Sequence, residues 1–355
     1  MIIYNSIIYN PMRMDQINQR HFPTSLLSTE NVEESDISIL LDKHFPTSLP
    51  SVPLSPHVEC LSVPTLRSTE NFDVVESDVV FSIVVPVHNQ ESIIVRNVES
   101  ILKHTTGHPY ELIMIFDACD DNTETVVMDY FSGIQDKENF ETLGGYFRHI
   151  LLLQSRIPLF ETACDNLGCL YAKGKYILEI QADMEMTQYG YNMKLLQPFQ
   201  MLPNVLGISG RCCHNLRGTD GVGKLGTDIL VPVRELPNVD VDTLYIGETC
   251  NRGPLLLDLP KLKELGYFDE RNYFLDNSDH DLFARGFFYK QWICGYVPID
   301  FHSPLDHGST RKPRNEINER YYQHKRQSTQ NGANGFLQTH LHEMAPRDIV
   351  QIPLR

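Results

Sequence analysis

Several features are scarce in this sequence, and each absence argues against a class of protein. No run of about 18 apolar residues occurs, so no transmembrane helix is expected. None of the eight cysteines belongs to a Cys-x-x-Cys pair, which argues against structural zinc and fits reduced thiols in a cytosolic setting. The formal net charge is −16 and no basic stripe is visible, so nucleic acid is not an expected partner. The first residues are too polar for a secretory signal, and we therefore expect a cytoplasmic protein.

Residues 1–78 differ in composition from the rest of the chain. They hold seven of the 21 prolines, and the segment 21–26 recurs unchanged as 44–49. Two irregular copies are too few for a repeat fold. We interpret residues 1–78 as a poorly structured, loosely packed extension. The alternative is an arm that packs on a partner subunit, which leaves a homo-oligomer open.

Strand-like and helix-like patterns alternate from residue 79 onward, and we assign 79–312 to one catalytic domain. Short apolar runs predict buried parallel strands at 81–87, 111–116, 149–154 and 176–182. Helical patterns lie between them, with Asn89 as the expected cap of the first. This alternation predicts an α/β fold with a mostly parallel central sheet flanked by helices. Residues 313–355 form a predicted C-terminal helix and tail.

Polar clusters follow three of these strands. They begin at Pro86, Asp117 and Gln181 and include several carboxylates. Ligands of parallel sheets bind at the carboxyl ends of the strands, so the clusters are expected to share one edge. A divalent cation bridging to diphosphate oxygens would offset the crowded negative charge. The alternative is that these residues only cap helices and fill turns.

The order and spacing of four motifs resemble the family 2 glycosyltransferases of GT-A fold. The strand and turn Ser82–Glu91 are similar to the family's opening Pro-x-x-Asn-x-Glu turn, and Ile115–Thr123 to its Val-Asp-Asp-Gly-Ser segment. Asp165–Gly174 is similar to its Arg-Asn-x-Gly element. Arg252–Arg285 contains the pattern of its acceptor-side half. The resemblance implies a Rossmann-like GT-A domain.

The resemblance also implies a donor site for a nucleotide-sugar, UDP-sugar above all. Asp117 would hydrogen-bond the base, and Asp183 would bind Mn²⁺ or Mg²⁺ at the position of the family's Asp-x-Asp motif. His307 is the preferred further metal ligand and His302 the second candidate. The remaining donor-binding residues implied by the resemblance are Pro86, Val87, His88, Asn89, Glu91, Asn166, Gln181 and Ala182.

On the acceptor side, Asp279 would be the general base of an inverting hexosyltransferase. Arg252, Gly253 and Asp281 would face the acceptor, which is a glycan, a protein or a small molecule. Asp281 is also the alternative base. A single displacement needs one base and one metal, and the sequence offers both.

Four departures from the family pattern motivate a second reading. Phe116 and Gln181 each replace an aspartate, Asp165 replaces an arginine, and Ser278 replaces a glutamate. Glu185 would restore the carboxylate missing at Gln181 only if the chain stays extended between them. The alternative function is therefore a weak or inactive relative that binds a nucleotide-sugar or glycan.

Overall fold

The computed structural model describes residues 58–61, 79–135, 145–217, 223–226, 236, 238–303 and 315–354. Its strands are β1 (Val58–Leu61), β2 (Phe81–Val87), β3 (Tyr110–Asp117), β4 (Phe147–Ser155), β5 (Tyr176–Glu179), β6 (Glu185–Met186), β7 (Val205–Ser209), β8 (Cys212–His214), β9 (Lys224–Gly226), β10 (Thr243–Gly247), β11 (Thr249–Cys250), β12 (Leu255–Asp258), β13 (Ile293–Tyr296), β14 (Phe301–His302) and β15 (Val350–Pro353). Its helices are α1 (Ile94–His104), α2 (Thr123–Gln135), α3 (Glu161–Tyr171), α4 (Tyr191–Met201), α5 (Leu259–Glu264), α6 (Ser278–Lys290), α7 (Glu316–Ser328) and α8 (Phe336–His340).

Within the part of the chain that the structure describes, ten strands form the central sheet, in the order β1-β4-β3-β2-β5-β12-β7-β13-β10-β15. The pairings make seven of them point in one direction, while β1, β12 and β10 run the other way. The predicted mostly parallel sheet is therefore confirmed. Two small sheets, β11-β8-β9 and β14-β6, lie beside it.

Apolar side chains cover both faces of this sheet. Ile83 and Val85 belong to one core cluster, which also contains the buried face of α1. Val84 belongs to a second cluster, which contains buried residues of α3 and α6. Successive strand residues point to opposite faces, so β2 feeds both cores and the sheet is sandwiched between helices.

The strand boundaries follow the sequence prediction closely near the start of the domain. β2 spans the predicted 81–87, whereas β5 ends at Glu179 rather than at residue 182. This shift alters the site, because it places a turn at the carboxyl ends of the strands, where α3 also begins at Glu161. β1 lies within the predicted extension and pairs with β4, so these four residues belong to the sheet rather than to a loose extension. The domain boundaries otherwise stay a prediction.

Within the described residues, none of the helices combines the length and apolarity that crossing a bilayer requires.

Candidate active site

A cleft of about 840 Å³ opens at the carboxyl ends of β2, β3 and β5. Most of the sequence-predicted site residues line it: Pro86, Val87, His88, Asn89, Asp117, Gln181, Ala182, Asp183, Arg252 and Asp279. The topology explains this, because parallel strands that carry polar residues at their ends bring those residues to one edge. The structure therefore joins the predicted donor and acceptor halves in a single cavity.

Four predicted site residues do not line the cleft. Glu91 is exposed and accepts a hydrogen bond from the Asn122 N–H at 3.0 Å. Asn166 is buried and donates to the Phe268 carbonyl, which ties α3 to the turn before α6. The remaining two, Gly253 and Asp281, belong to the interior on the acceptor side.

Gly253 supports the cleft from behind. Its φ of 58° lies in the left-handed region, and a Cβ there would stand 2.9 Å from Cγ of Gln181, so only glycine fits. Asp281 is fully buried and forms an ion pair with Nε of Arg285 at 2.7 Å. It also accepts the Leu337 N–H at 2.9 Å. Neither residue lines the cleft, and the acceptor-side roles expected for Gly253 and Asp281 stay a prediction.

The loops after β2 and β3 are joined by polar contacts. Nδ1 of His88 lies 2.6 Å from the Asp117 carbonyl oxygen. The side-chain amide of Asn89 makes two hydrogen bonds to Asp120: its Nδ2 donates to the Asp120 carboxylate, and its Oδ1 accepts the Asp120 N–H. The φ of Asn89 is 52°, a value that asparagine tolerates. Asn89 therefore does not cap α1, whose first residue is Ile94. It instead fixes the geometry of the donor-side turn.

Asp117 holds an aromatic residue over the cleft. Its two carboxylate oxygens accept the N–H groups of Leu159 and Phe160 at 2.6 and 2.9 Å. Burial raises the pKa of Asp117 above its usual value, although both backbone bonds favour the charged form. Phe160 has φ 67° and ψ 170°, a conformation nearly restricted to glycine. A carboxylate has about four lone pairs, so Asp117 keeps acceptor capacity for a ligand.

The C-terminal helix α7 completes this end of the cleft. Asn315, which caps α7, donates to Asp120, and Asn318 lies with its Nδ2 3.5 Å from Nε2 of His88. The Tyr322 ring packs edge-on against Phe160 at 6.2 Å between ring centres. The sequence predicted this helix but gave it no role in the site.

The turn after β5 carries the positions of the family's Asp-x-Asp motif. The Met184 N–H donates to the Gln181 carbonyl at 3.0 Å, and Asn97 of α1 donates to the same carbonyl at 3.1 Å. This turn breaks the extended chain that a ligand role for Glu185 required. Glu185 forms an ion pair with Arg96 at 2.6 Å and does not line the cleft.

Gln181 lies between opposite charges. Its Nε2 donates to Glu161 at 3.1 Å, and Nη1 of Arg211 lies 3.5 Å from its Oε1. Among the residues that the structure describes, seven carboxyl groups and two guanidinium groups line the cleft, the latter being those of Arg211 and Arg252. This described part of the lining therefore carries more acidic than basic side chains.

The residues present fit a divalent ion only if water and phosphate oxygens of the donor supply most of its ligands. Across the residues that the structure describes, no group of three or more His, Cys, Asp or Glu side chains is placed to hold a metal. Asp183 supplies one carboxylate to the cleft. Mg²⁺-type ions commonly take one or two carboxylates and complete their shell with water and phosphate oxygens. His307 lies outside the described residues. His302 is exposed, and it lies opposite Glu185 in the antiparallel pair of strands β14 and β6.

Asp279 lies at the start of α6 and is only 7% exposed. Its oxygens accept the N–H groups of Arg252 at 3.1 Å and His280 at 2.8 Å. Burial alone would raise its pKa, but His280, Arg252 and the two backbone bonds outweigh burial and lower the pKa below the usual value. Asp279 is therefore an ionised carboxylate at neutral pH. His280 lines the same cleft, with its Nδ1 2.5 Å from Oγ1 of Thr249.

Arg252 links two of the departures from the family pattern. Its guanidinium donates to Asp165 at 2.5 Å and also to Ser278. Asp165 and Ser278 replace a basic and an acidic residue of the family pattern, and here one arginine binds both. The substitutions thus form a local network that couples α3 to α6 beneath the cleft.

Sequence reasoning missed several residues that line the cleft. Glu179 could have been found, because a charged residue interrupts an otherwise apolar strand. Arg211, Phe160 and Asn318 carry no local signal, since distant segments bring them to the cleft.

Residues 82–215 match the family model described as Glycosyl transferase family 2. This part of the chain is therefore similar to the family 2 glycosyltransferases. The segment contains Asp117, Gln181 and Asp183 and ends before Asp279, so the recognised resemblance is confirmed on the donor side of the cleft. A search of curated proteins found no match to the sequence.

Solved structures with similar folds include glycosyltransferases. GalNAc-T7 with UDP, GalNAc and Mn²⁺ is 14% identical, with a TM-score of 0.46 and coverage of 70% of this chain and 48% of that one. The present chain thus spans about half the length of GalNAc-T7. Residues 1–349 of S. aureus TarS with UDP are 13% identical, with a TM-score of 0.42 and coverage of 74% and 68%. The mannosyltransferase PcManGT of Pyrobaculum calidifontis with GDP-Man and Mn²⁺ is 14% identical, with a TM-score of 0.44 and coverage of 76% and 65%.

Proposed function

We propose that the chain is an inverting glycosyltransferase that moves a hexosyl group from a UDP-sugar to an acceptor hydroxyl. The observation that carries the proposal is one cleft lined by Asp117, Asp183 and Asp279, in a chain with a segment similar to the family 2 glycosyltransferases. The acceptor is a glycan, a protein or a small molecule.

The donor half of the cleft would bind the nucleotide. Asp117 and the turn 86–90 form a polar pocket closed by Phe160 and α7, which suits a base that donates and accepts hydrogen bonds. Arg211 lies beside Gln181, where the diphosphate would have to pass. Asp183 would hold a divalent ion that, when bound, offsets charge on the departing diphosphate.

Asp279 would act as the general base. Its lowered pKa keeps it ionised before reaction. The acceptor oxygen would attack the anomeric carbon while its proton moves to Asp279 and the bond to the diphosphate breaks. Attack opposite the leaving group inverts the anomeric configuration. The backbone N–H groups of Arg252 and His280 hold the carboxylate in place throughout.

A second function is favoured by one observation. Gln181 brings no charge to the metal position, and Arg211 is already beside it. A protein that binds nucleotide-sugars or glycans without turnover would also fit this arrangement.

Release of UDP separates the two functions. We expect release from at least one UDP-sugar in a panel, faster with Mn²⁺ than with EDTA and faster again with a suitable acceptor. Asp279→Asn serves as the matched variant, because it keeps the size of the side chain. Binding of UDP-sugar without any release, in wild type and variant alike, would establish the binding function instead.

A further inference from the structure

Glu179 is a buried carboxyl group at the floor of the cleft that the proposed chemistry does not use. It is the last residue of β5, is 1% exposed, and lines the cleft. Its Oε2 accepts the Gly253 N–H at 2.8 Å. Its Oε1 is buried and has no hydrogen-bond partner. A buried polar atom without a partner typically costs about 1–3 kcal/mol, so its retention at a cleft points to a ligand.

No cation among the described residues forms an ion pair with this carboxyl group. The neighbouring guanidinium group of Arg252 instead donates hydrogen bonds to the carboxylate of Asp165 and to the hydroxyl groups of Ser278 and Thr162. Burial raises the pKa of Glu179 well above its usual value, and the charges of Asp165 and Glu161 raise it further, whereas Arg252 lowers it only in part. Burial thus favours the protonated form of Glu179, which has one O–H to donate.

We propose that Glu179 is a sugar-positioning residue whose Oε1 donates a hydrogen bond to a hydroxyl oxygen of the bound sugar. The inference rests on the proposed function, because it takes the cleft to be a sugar site. Glu179 lines the cleft together with Gln181 of the donor side and Arg252 of the acceptor side, and it binds the Gly253 N–H next to Arg252. The hydroxyl belongs either to the transferred sugar or to the acceptor.

Two variants of Glu179 and one control variant of the full chain test this assignment. Each is titrated calorimetrically with UDP, UDP-glucose and UDP-N-acetylglucosamine in Mn²⁺. Glu179→Gln keeps an acceptor for Gly253 and an N–H donor toward the cleft. Glu179→Leu removes both the acceptor and the donor. If the leucine variant does not fold, Glu179→Ala is used in its place. Glu111→Gln is the control, because Glu111 is equally buried but lies at the opposite edge of the sheet.

We expect Glu179→Leu to bind UDP like wild type but to lose about tenfold in affinity for a UDP-sugar, the equivalent of one hydrogen bond. Glu179→Gln should stay within about threefold of wild type. If only the KM for the acceptor rises in the leucine variant, the hydroxyl belongs to the acceptor, and the assignment stands.

Two outcomes overturn the inference while leaving the proposed function intact. One is wild-type sugar affinity and acceptor KM in Glu179→Leu together with normal UDP binding. The other is a loss in Glu179→Gln as large as in Glu179→Leu, which would show that a charged carboxylate is needed, as for a metal ligand. Absence of UDP binding in wild type would instead refute the proposed function.

Discussion

The two ends of the parallel strands, the amino edge and the carboxyl edge of the central sheet, bury carboxyl groups in different ways. At the amino edge, Glu111 near the start of β3 is 1% exposed and fully partnered, with bonds from Ser82, the Lys173 N–H and His149. At the carboxyl edge, Glu179 at the end of β5 is equally buried but keeps one oxygen without a partner. The satisfied carboxylate holds strands and loops together, and the unsatisfied one belongs to a residue that lines the cleft.

The same contrast recurs within a single helix. Asp279 and Asp281 lie two residues apart on α6, yet only Asp279 lines the cleft, while Asp281 is sealed in an ion pair with Arg285. Burial alone therefore does not distinguish a structural carboxylate from a functional one. The partners of each oxygen do, and the variants below exploit this difference.

The largest effect is expected for Asp279→Asn. Asparagine keeps the size of the side chain but cannot accept a proton at neutral pH. General bases contribute about 10²–10⁴-fold, so transfer should fall by that factor while UDP affinity changes little. The melting temperature should fall as well, because an amide cannot accept from both backbone N–H groups that the carboxylate binds. Steady-state turnover and a thermal melt measure both. Turnover at the wild-type rate would place the base elsewhere.

For Asp281→Asn we expect a loss of stability rather than of chemistry. The change leaves Arg285 buried without its ionic partner, which typically costs about 3–5 kcal/mol. Urea unfolding measures the loss, and Asp279→Asn is the matched control two residues away. A stable Asp281→Asn protein with reduced turnover would support the acceptor-side assignment.

Glu111→Gln should lower the free energy of unfolding by about 1–3 kcal/mol at neutral pH, because Glu111 is buried with partners on both oxygens. Burial raises the pKa of Glu111, but bonds from His149, Ser82 and the Lys173 N–H outweigh it and lower the folded-state pKa below the unfolded value. Its contribution is thus complete above the unfolded pKa and is lost as pH falls through the folded pKa.

Unfolding at a series of pH values checks this sign. The difference between wild type and Glu111→Gln should shrink as the solution becomes acidic. Glu179→Gln is the comparison at the other edge, where the pKa is raised. Glu179 costs stability as pH rises above its unfolded pKa, so its variant should gain relative to wild type toward neutral pH. Parallel curves for both variants would contradict the contrast between the edges.

The smallest effect is expected for Glu185→Gln. Glu185 pairs with Arg96, whose side chain is 55% exposed, and exposed ion pairs contribute about 0–1 kcal/mol. UDP affinity in Mn²⁺ should not change, because the turn at Gln181 directs Glu185 away from the cleft. A clear loss of metal-dependent binding would show that Glu185 does replace the missing carboxylate.

The sequence was a sufficient guide wherever local pattern decides the structure. The apolar run of β2 and the polar turn after it were predictable, because a buried parallel strand needs that composition. The position of Asp183 relative to Glu185 was not, since Asn97 on α1 stabilises the intervening turn from 84 residues away. The i,i+4 spacing of Asp281 and Arg285 could have indicated an ion pair. The partners of Arg252 and the closure by α7 come from contacts between distant segments and leave no local pattern.

Calorimetric titration with UDP tests most directly whether this cleft is a nucleotide diphosphate site. We expect wild type to bind UDP more tightly than GDP, and Mn²⁺ to strengthen binding relative to EDTA. Asp183→Asn should weaken UDP binding in Mn²⁺ by about tenfold or more, as loss of metal-site contacts commonly does. Equal UDP affinity in Mn²⁺ and EDTA would contradict the metal role of Asp183, and absence of UDP binding under both conditions would contradict the nucleotide site itself.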